Sequence, residues 1–388
     1  MGKKTAIGLY FSYNENWIGG TYYILNIIKT LNFLEDSKKL KLYILVNKKE
    51  DFEIIQNLQY SYVECIVLNT TLPVWKKACN KISRIFLKKQ LFIPKNNFKN
   101  IDFLFPANVN PVFQSIKNKL FWIPDFQEKY LPQFFTEKEI KERFENQVLI
   151  SNQKHLLFSS LSAKSDFDTY FPNSKINKYV YGFTSILEKN NNLIFEEVLT
   201  KYNLSNQNYF FSPNQFWKHK NQIIILKALK KLKESGQLDF KVYFSGKEHD
   251  YRNPNYFEDL VNYINEHQLS ENVKFLGFID REDQICLMEN AMAIIQPSLF
   301  EGWSTVVEDT KSLNQNCIVS NIAVHKEQLD QQAYYFDPNN EDSLIEQLIL
   351  VKANNRKTFN FDYDKKIIDN ATHFLSIMNS IISNDKGI

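Results

Sequence analysis

Cysteine is scarce in this chain: Cys65, Cys79, Cys286 and Cys317 are the four among 388 residues. No pair is spaced as CxxC and no histidine set accompanies them, which argues against zinc. They are expected to be buried thiols in a reducing cytoplasm. No apolar run approaches the ~20 residues that a membrane-crossing helix needs. The first apolar run, Thr5–Phe11, is too short for a signal peptide and reads as a first strand. An excess of charge is also missing. A formal net charge of +3 leaves no nucleic-acid footprint. These absences predict a cytoplasmic protein, soluble or peripheral, with no nucleic-acid partner.

Apolar residues make up 44% of the chain, with 32 Phe and 20 Tyr, ample for more than one buried core. The length predicts two or three domains. The most informative stretch is Gln296–Val319, QPSLFEGWSTVVEDTKSLNQNCIV. Two apolar runs flank it, Met292–Ile295 and Ile318–Val319, and read as short buried parallel strands. Between them a helix is expected to start near Ser304 or Thr305, with Glu308 and Asp309 in its first turn or so. A strand, a turn holding Gly302 and a helix N-terminus make an anion site suited to a diphosphate. Glu301 and Asp309 repel a bare phosphate but hold sugar hydroxyls. The pattern points to a sugar–phosphate. The competing reading takes both acids as ordinary helix-start charges.

The run PSLFEGWSTVVEDTKSLNQNCIVSNIAVHKEQ resembles the donor-site signature of the retaining family 4 glycosyltransferases, which have the GT-B fold. That signature holds two acids with seven residues between them, and Glu301 and Asp309 match it. Asp309 is shorter than the usual Glu, and Ser304, Thr305 and Val306 replace the usual Gly-Leu-Pro. The resemblance implies that Glu301 contacts the transferred sugar and Asp309 the ribose. Glu308 should point about 100° away around the helix.

The first half opens with the Thr5–Phe11 strand, Asn14–Trp17, the pair Gly19-Gly20, and a helical run from Thr21 to Leu34. This is the opening of a doubly wound α/β domain. Gly19 and Gly20 read either as a loop facing a ligand, as the resemblance implies, or as a turn pair. Strands are expected at Leu40–Val46, Val63–Leu68, Ile101–Phe105, Lys119–Ile123, Lys154–Ser160 and Lys178–Gly182, with a helix at Ser162–Tyr170. Val74–Lys89 has Trp75, Ala78, Ile82, Ile85 and Phe86 at helical spacing. Its other face carries Lys76, Lys77, Lys81, Arg84, Lys88 and Lys89 and no acid. It reads either as a helix lying on an anionic membrane surface or as one packing its stripe on its own sheet. Asp125 follows the Lys119–Ile123 strand, with Pro124 where the family often has His. It is expected either to orient the acceptor or to cap a turn.

The second half repeats the pattern after a linker at Glu188–Asn192. The Tyr209–Phe211 strand leads through Asn214 and Gln215 to Lys218-His219-Lys220 and a helix at Ile223–Lys233. By resemblance, Lys220 stands where the family's Lys grips the diphosphate, and Gln215 stands where it has Arg. The alternative is an exposed basic loop. Strands follow at Phe240–Phe244, ending on Gly246, and at Asn272–Ile279. There Gly277 and Phe278 are implied beside the nucleotide base, though Phe278 also reads as core. Tyr334–Pro338 is a last strand, and Lys365–Ser383 a helix implied to cross back onto the first domain.

The expected fold is α/β: two Rossmann-like doubly wound domains facing across a GT-B cleft. Residues 1–187 form the acceptor side, 193–364 the donor side, and 365–388 pack back. The resemblance implies a retaining transfer from a nucleotide-diphosphate-sugar to a glycan or lipid-linked glycan, in bacterial surface polysaccharide or lipopolysaccharide synthesis. The catalytic set is Glu301, Lys220 and Asp125. The donor-binding set is Gly19, Gly20, Asn214, Gln215, Lys220, Gly246, Gly277, Phe278, Glu301, Gly302, Ser304, Thr305, Val306 and Asp309. No metal or cofactor is expected, since no DxD stands where metal-dependent transferases have one. The alternatives are a partner subunit that binds sugar nucleotide without turnover, and a nucleotide-sugar epimerase, which would need acid/base groups near Asp125.

Overall fold

The computed structural model describes residues 4–14, 18–87, 90–187, 193–205, 208–354 and 359–384, with Arg84 and Asn384 described by backbone alone. The expected linker 188–192, residues 15–17 and Lys88-Lys89 lie outside the described residues.

Runs of apolar residues without strict alternation suit parallel strands covered on both faces. Seven build the first sheet: β1 Ala6–Tyr10, β2 Lys41–Val46, β3 Val63–Val67, β4 Phe103–Ala107, β5 Asn118–Ile123, β6 His155–Phe158 and β7 Asn177–Val180. Their order is β3-β2-β1-β4-β5-β6-β7, all parallel. Six build the second: β8 Tyr209–Pro213, β9 Lys241–Ser245, β10 Val273–Phe275, β11 Ile294–Gln296, β12 Cys317–Ser320 and β13 Tyr334–Phe336. Their order is β10-β9-β8-β11-β12-β13, again parallel. In both sheets the order reverses beside the first strand, and ligands bind past the strand ends at such switch points. The chain following β1, β8 and β11 carries Gly19-Gly20, Gln215–Lys220 and Glu301–Asp309.

The last helix, Tyr363–Asn384, packs beside the Ile18–Leu31 helix of the first domain. Its Ala371, Phe374, Ile377, Met378 and Ile381 join the core of the first sheet. The Phe374 ring lies 5.9 Å from Phe105 and 5.1 Å from Tyr181.

Several expectations need correction. Gly19 and Gly20 are not a loop: they lie in the first turn of the Ile18–Leu31 helix, which starts three residues earlier than expected. The expected Asn272–Ile279 strand narrows to β10 because Gly277 turns the chain at φ +69°. All four cysteines are free thiols, but only Cys286 and Cys317 are buried; Cys65 and Cys79 are half-buried. The helix Val74–Leu87 does not pack its apolar stripe on the sheet. It buries Asn80 and Ser83 and leaves Trp75, Ile82, Ile85 and Phe86 outside.

Candidate functional site

A cleft of about 780 Å³ lies between the two sheets' carboxyl ends. Its floor is built by the chain leaving β11. Ser304 caps the helix Thr305–Ser312, its Oγ accepting the Val307 N–H at 3.4 Å. The Ser304 amide is not available to a ligand, because the Gln328 side-chain oxygen accepts it at 3.0 Å. The amides of Thr305 and Val306, next in the first turn, have no intrahelical acceptor by helix geometry.

Glu301 sits just before this helix with 9% of its side chain exposed. The Lys220 ammonium donates to its Oε1 at 2.5 Å, and the Gln296 amide donates to the same oxygen at 2.7 Å. Burial alone would raise the Glu301 carboxyl. The Lys220 charge beside it wins and holds it below the ordinary glutamate range. Gln296 is fully buried, and its amide also reaches the hydroxyls of Ser298 and Ser304, each at 3.2 Å. Lys220 is placed by a single helical turn, Lys218–Lys220, that ends on Asn221 at φ +60°. The Asn221 amide fixes that turn on the carbonyls of Pro297 and Pro338. His219 is held down to about 3, first by burial and then by Lys220, so it stays neutral at pH 7.

Asp309, fully buried, marks the other end of this wall. Its Oδ1 accepts Arg281 Nη2 at 2.6 Å and the Ser185 hydroxyl at 2.5 Å, while its Oδ2 has no partner among the described residues. Glu308 points elsewhere, as helical geometry requires. It is buried against Lys311, Lys366, Tyr363 and Gln328 and ties down the last helix.

Across the cleft, Asp125 Oδ1 accepts Arg143 Nη2 at 2.7 Å and the Gln127 amide at 3.1 Å. Asp125 therefore caps a turn and lines the cleft at once. Arg143 also holds the buried Glu128 at 2.7 Å. Gly302 is needed here, since a Cβ would meet the Pro124 carbonyl at 3.0 Å and Asp125 at 3.1 Å. Further ties join the domains. Trp303 donates to the Phe183 carbonyl at 3.0 Å, Arg252 pairs with Glu139 at 3.0 Å, and the Glu327 carboxylate accepts the Leu161 amide at 2.7 Å.

Of the expected residues, Gly19, Gly20, Asp125, Asn214, Gln215, Lys220, Gly246, Phe278, Glu301, Gly302, Ser304, Thr305, Val306 and Asp309 all line this one cleft. Gly277 does not. Its carbonyl accepts the Gly246 amide at 2.8 Å, and it turns Phe278, 74% exposed and not core, onto the cleft. A Cβ on Gly246 would fall 2.2 Å from the Asn214 carbonyl, so glycine lets the Asn214–Gln215 backbone pass. Sequence reasoning missed Arg281, Arg143, Ser185 and Gln296. Gln296 left a signal, a polar side chain closing the apolar β11 run. Among the described residues no group of three His, Cys, Asp or Glu side chains is placed to hold a metal.

Residues 195–374 match the family model of glycosyl transferases group 1. Over that segment the chain is similar to the glycosyl transferases group 1. The O-antigen chain mannosyltransferase RfbU of Salmonella typhimurium is 25% identical to this chain over 265 residues, 66% of this chain and 69% of RfbU. The O-antigen biosynthesis glycosyltransferase WclY of Escherichia coli is 30% identical over 96 residues, 25% of this chain and 27% of WclY. The Anabaena HepE crystal structure in complex with UDP superposes with a TM-score of 0.64 at 14% identity, covering 98% of each chain. At that identity the likeness speaks to the fold, and the fold is GT-B.

Proposed function

We propose that this protein is a glycosyltransferase that moves a sugar, with retention, from a nucleoside-diphosphate sugar to a glycan or lipid-linked glycan of bacterial surface polysaccharide. One observation carries the reading: Lys220 and Glu301 meet at 2.5 Å beside the N-terminus of the Thr305–Ser312 helix. A cation and helix amides are what a diphosphate needs, and a carboxylate is what sugar hydroxyls need. The UDP bound in HepE supports a nucleotide donor, and the O-antigen roles of RfbU and WclY support the pathway class.

In this reading the bond from the sugar's anomeric carbon to the β-phosphate oxygen breaks. Negative charge then grows on the leaving diphosphate. Lys220 and the Thr305–Val306 amides stabilise it, as donors aimed at developing charge do. The acceptor hydroxyl joins the anomeric carbon on the face the phosphate leaves, and its proton passes to the departing phosphate. Glu301 holds the transferred sugar, with its orientation fixed by Lys220 and Gln296. Asp309 Oδ2 takes a ribose hydroxyl, and Asp125 with Arg143 faces the acceptor. No metal is invoked.

The domain limits 1–187 and 193–364, with the terminal helix returning to the first domain, belong to the same proposal. So does a cytoplasmic site of action at the inner membrane face, where the Val74–Leu87 helix meets anionic lipid. Glu301→Gln keeps the shape of the side chain and loses its charge. We expect it to cut transfer by at least a hundredfold with little change in melting temperature. Wild-type turnover would overturn the role given to Glu301.

A further inference from the structure

Charge on the donor wall cancels in pairs. Lys220 faces Glu301, and Arg281 faces Asp309. The two pairs flank the N-terminus of the Thr305–Ser312 helix. Lys220 already has a part in the proposed function, while Arg281 has none. Arg281 opens the helix Arg281–Asn290 and lines the cleft, with 31% of its side chain exposed. A guanidinium carries five N–H donors in a fixed fork. One nitrogen, Nη2, is engaged with Asp309. The only other contact described for the group is the Tyr22 ring, 5.7 Å from the guanidinium carbon.

Tyr22 belongs to the opposing domain and stands in the early turns of the Ile18–Leu31 helix. That helix begins at the cleft with Ile18, Gly19 and Gly20 on its wall. A Cβ on Gly19 would meet no atom of the described residues within 4 Å. Packing therefore does not call for glycine there; the space a side chain would take belongs to the cleft. Arg281 and a helix N-terminus, two positive features, thus approach one stretch of the cleft from opposite domains. Asp309 keeps a buried oxygen without a partner among the described residues on the same side.

We infer that Arg281 is a donor-binding residue, whose remaining guanidinium N–H groups grip the phosphate nearest the ribose while Nη2 holds Asp309 in place. This rests on the nucleoside-diphosphate reading given above and adds to it a second cation, separate from Lys220. Arg281 would serve two neighbouring parts of one ligand, directly on phosphate and through Asp309 on ribose.

The test is calorimetric titration of the full chain with UDP and GDP, and with uridine and guanosine as phosphate-free controls. Wild type is expected to bind at least one diphosphate. Arg281→Gln should weaken that diphosphate at least tenfold and its nucleoside by a clearly smaller factor, the share that passes through Asp309. Arg281→Lys, which keeps a charge for Asp309 and so guards against misfolding, should fall between. Unchanged diphosphate binding in Arg281→Gln and Arg281→Lys overturns the inference and leaves the donor site standing. Equal losses for diphosphate and nucleoside also overturn it, because they mean that Arg281 only supports Asp309. If wild type binds neither diphosphate, the donor-site reading falls and this inference with it.

Discussion

At the scale of single residues, His325 shows how the wall of the cleft around the Thr305–Ser312 helix is underpinned. It is fully buried, its Nδ1 donates to the Ser320 carbonyl at 2.9 Å, and its Nε2 has no partner among the described residues. Burial holds its pKa down to about 4. An unfolded histidine titrates near 6.5. Between these values the unfolded chain binds the proton and the folded chain does not, so stability rises with pH across that window. As pH falls from about 6.5 toward 4, this one group should remove roughly 3 kcal/mol of stability. His219, held down to about 3, acts in the same direction. Urea unfolding at intervals from pH 7 to pH 4 should show the decline, and His325→Gln should flatten it. An equal slope in both proteins would contradict this account. Residues of this kind are hard to read in sequence. Glu301 and Asp309 stood out because both lie in one short segment, at the spacing of the signature it resembles. Arg281 lies 28 positions before Asp309, and only the folded β10–β11 arrangement brings them together.

At the scale of elements, the Val74–Leu87 helix is inside out. The Asn80 side chain docks it, accepting the Leu91 and Phe92 amides at 3.0 and 2.9 Å and donating to the Phe92 carbonyl at 2.8 Å. Val74 and Phe86 are left 83% and 79% exposed. Exposed apolar side chains among Lys76, Lys77 and Lys81, with no acid on the helix, match an anionic lipid surface in both hydrophobicity and charge. Pelleting with phosphatidylcholine–phosphatidylglycerol vesicles should exceed pelleting with phosphatidylcholine alone, and Phe86→Ser should reduce it. Equal pelleting with both lipids would count against the surface. Sequence periodicity identified this helix but not the direction of its stripe, which depends on what the neighbouring chain covers. Other elements went unread. The Glu137–Ser151 helix leaves Phe144, Val148 and Leu149 exposed, so its pattern is blurred. Its capping box, Thr136 with Glu139, was a legible start signal.

At the scale of the molecule, the cleft is one site only because the domains hold each other. Glu139 binds Arg252, Glu327 caps the Leu161–Tyr170 helix, Ser185 reaches Asp309, and Trp303 lies against Gly182 and Phe183. The alternation of strand, loop and helix in both halves was legible, and so was the placing of the Gln215–Lys220 and Glu301–Asp309 segments past strand ends. The cross-domain ties were not, since each joins residues more than a hundred positions apart. In the proposed function the second domain binds a nucleoside diphosphate through Lys220 and the Thr305–Ser312 helix. The most direct check is a melting-temperature screen of wild type and Lys220→Ala against UDP, GDP and dTDP. Ligand binding to the folded state raises the melting temperature. At least one diphosphate should stabilise wild type, and Lys220→Ala should need at least tenfold more of it for the same shift. A flat response to all three, or an identical response from Lys220→Ala, would contradict it.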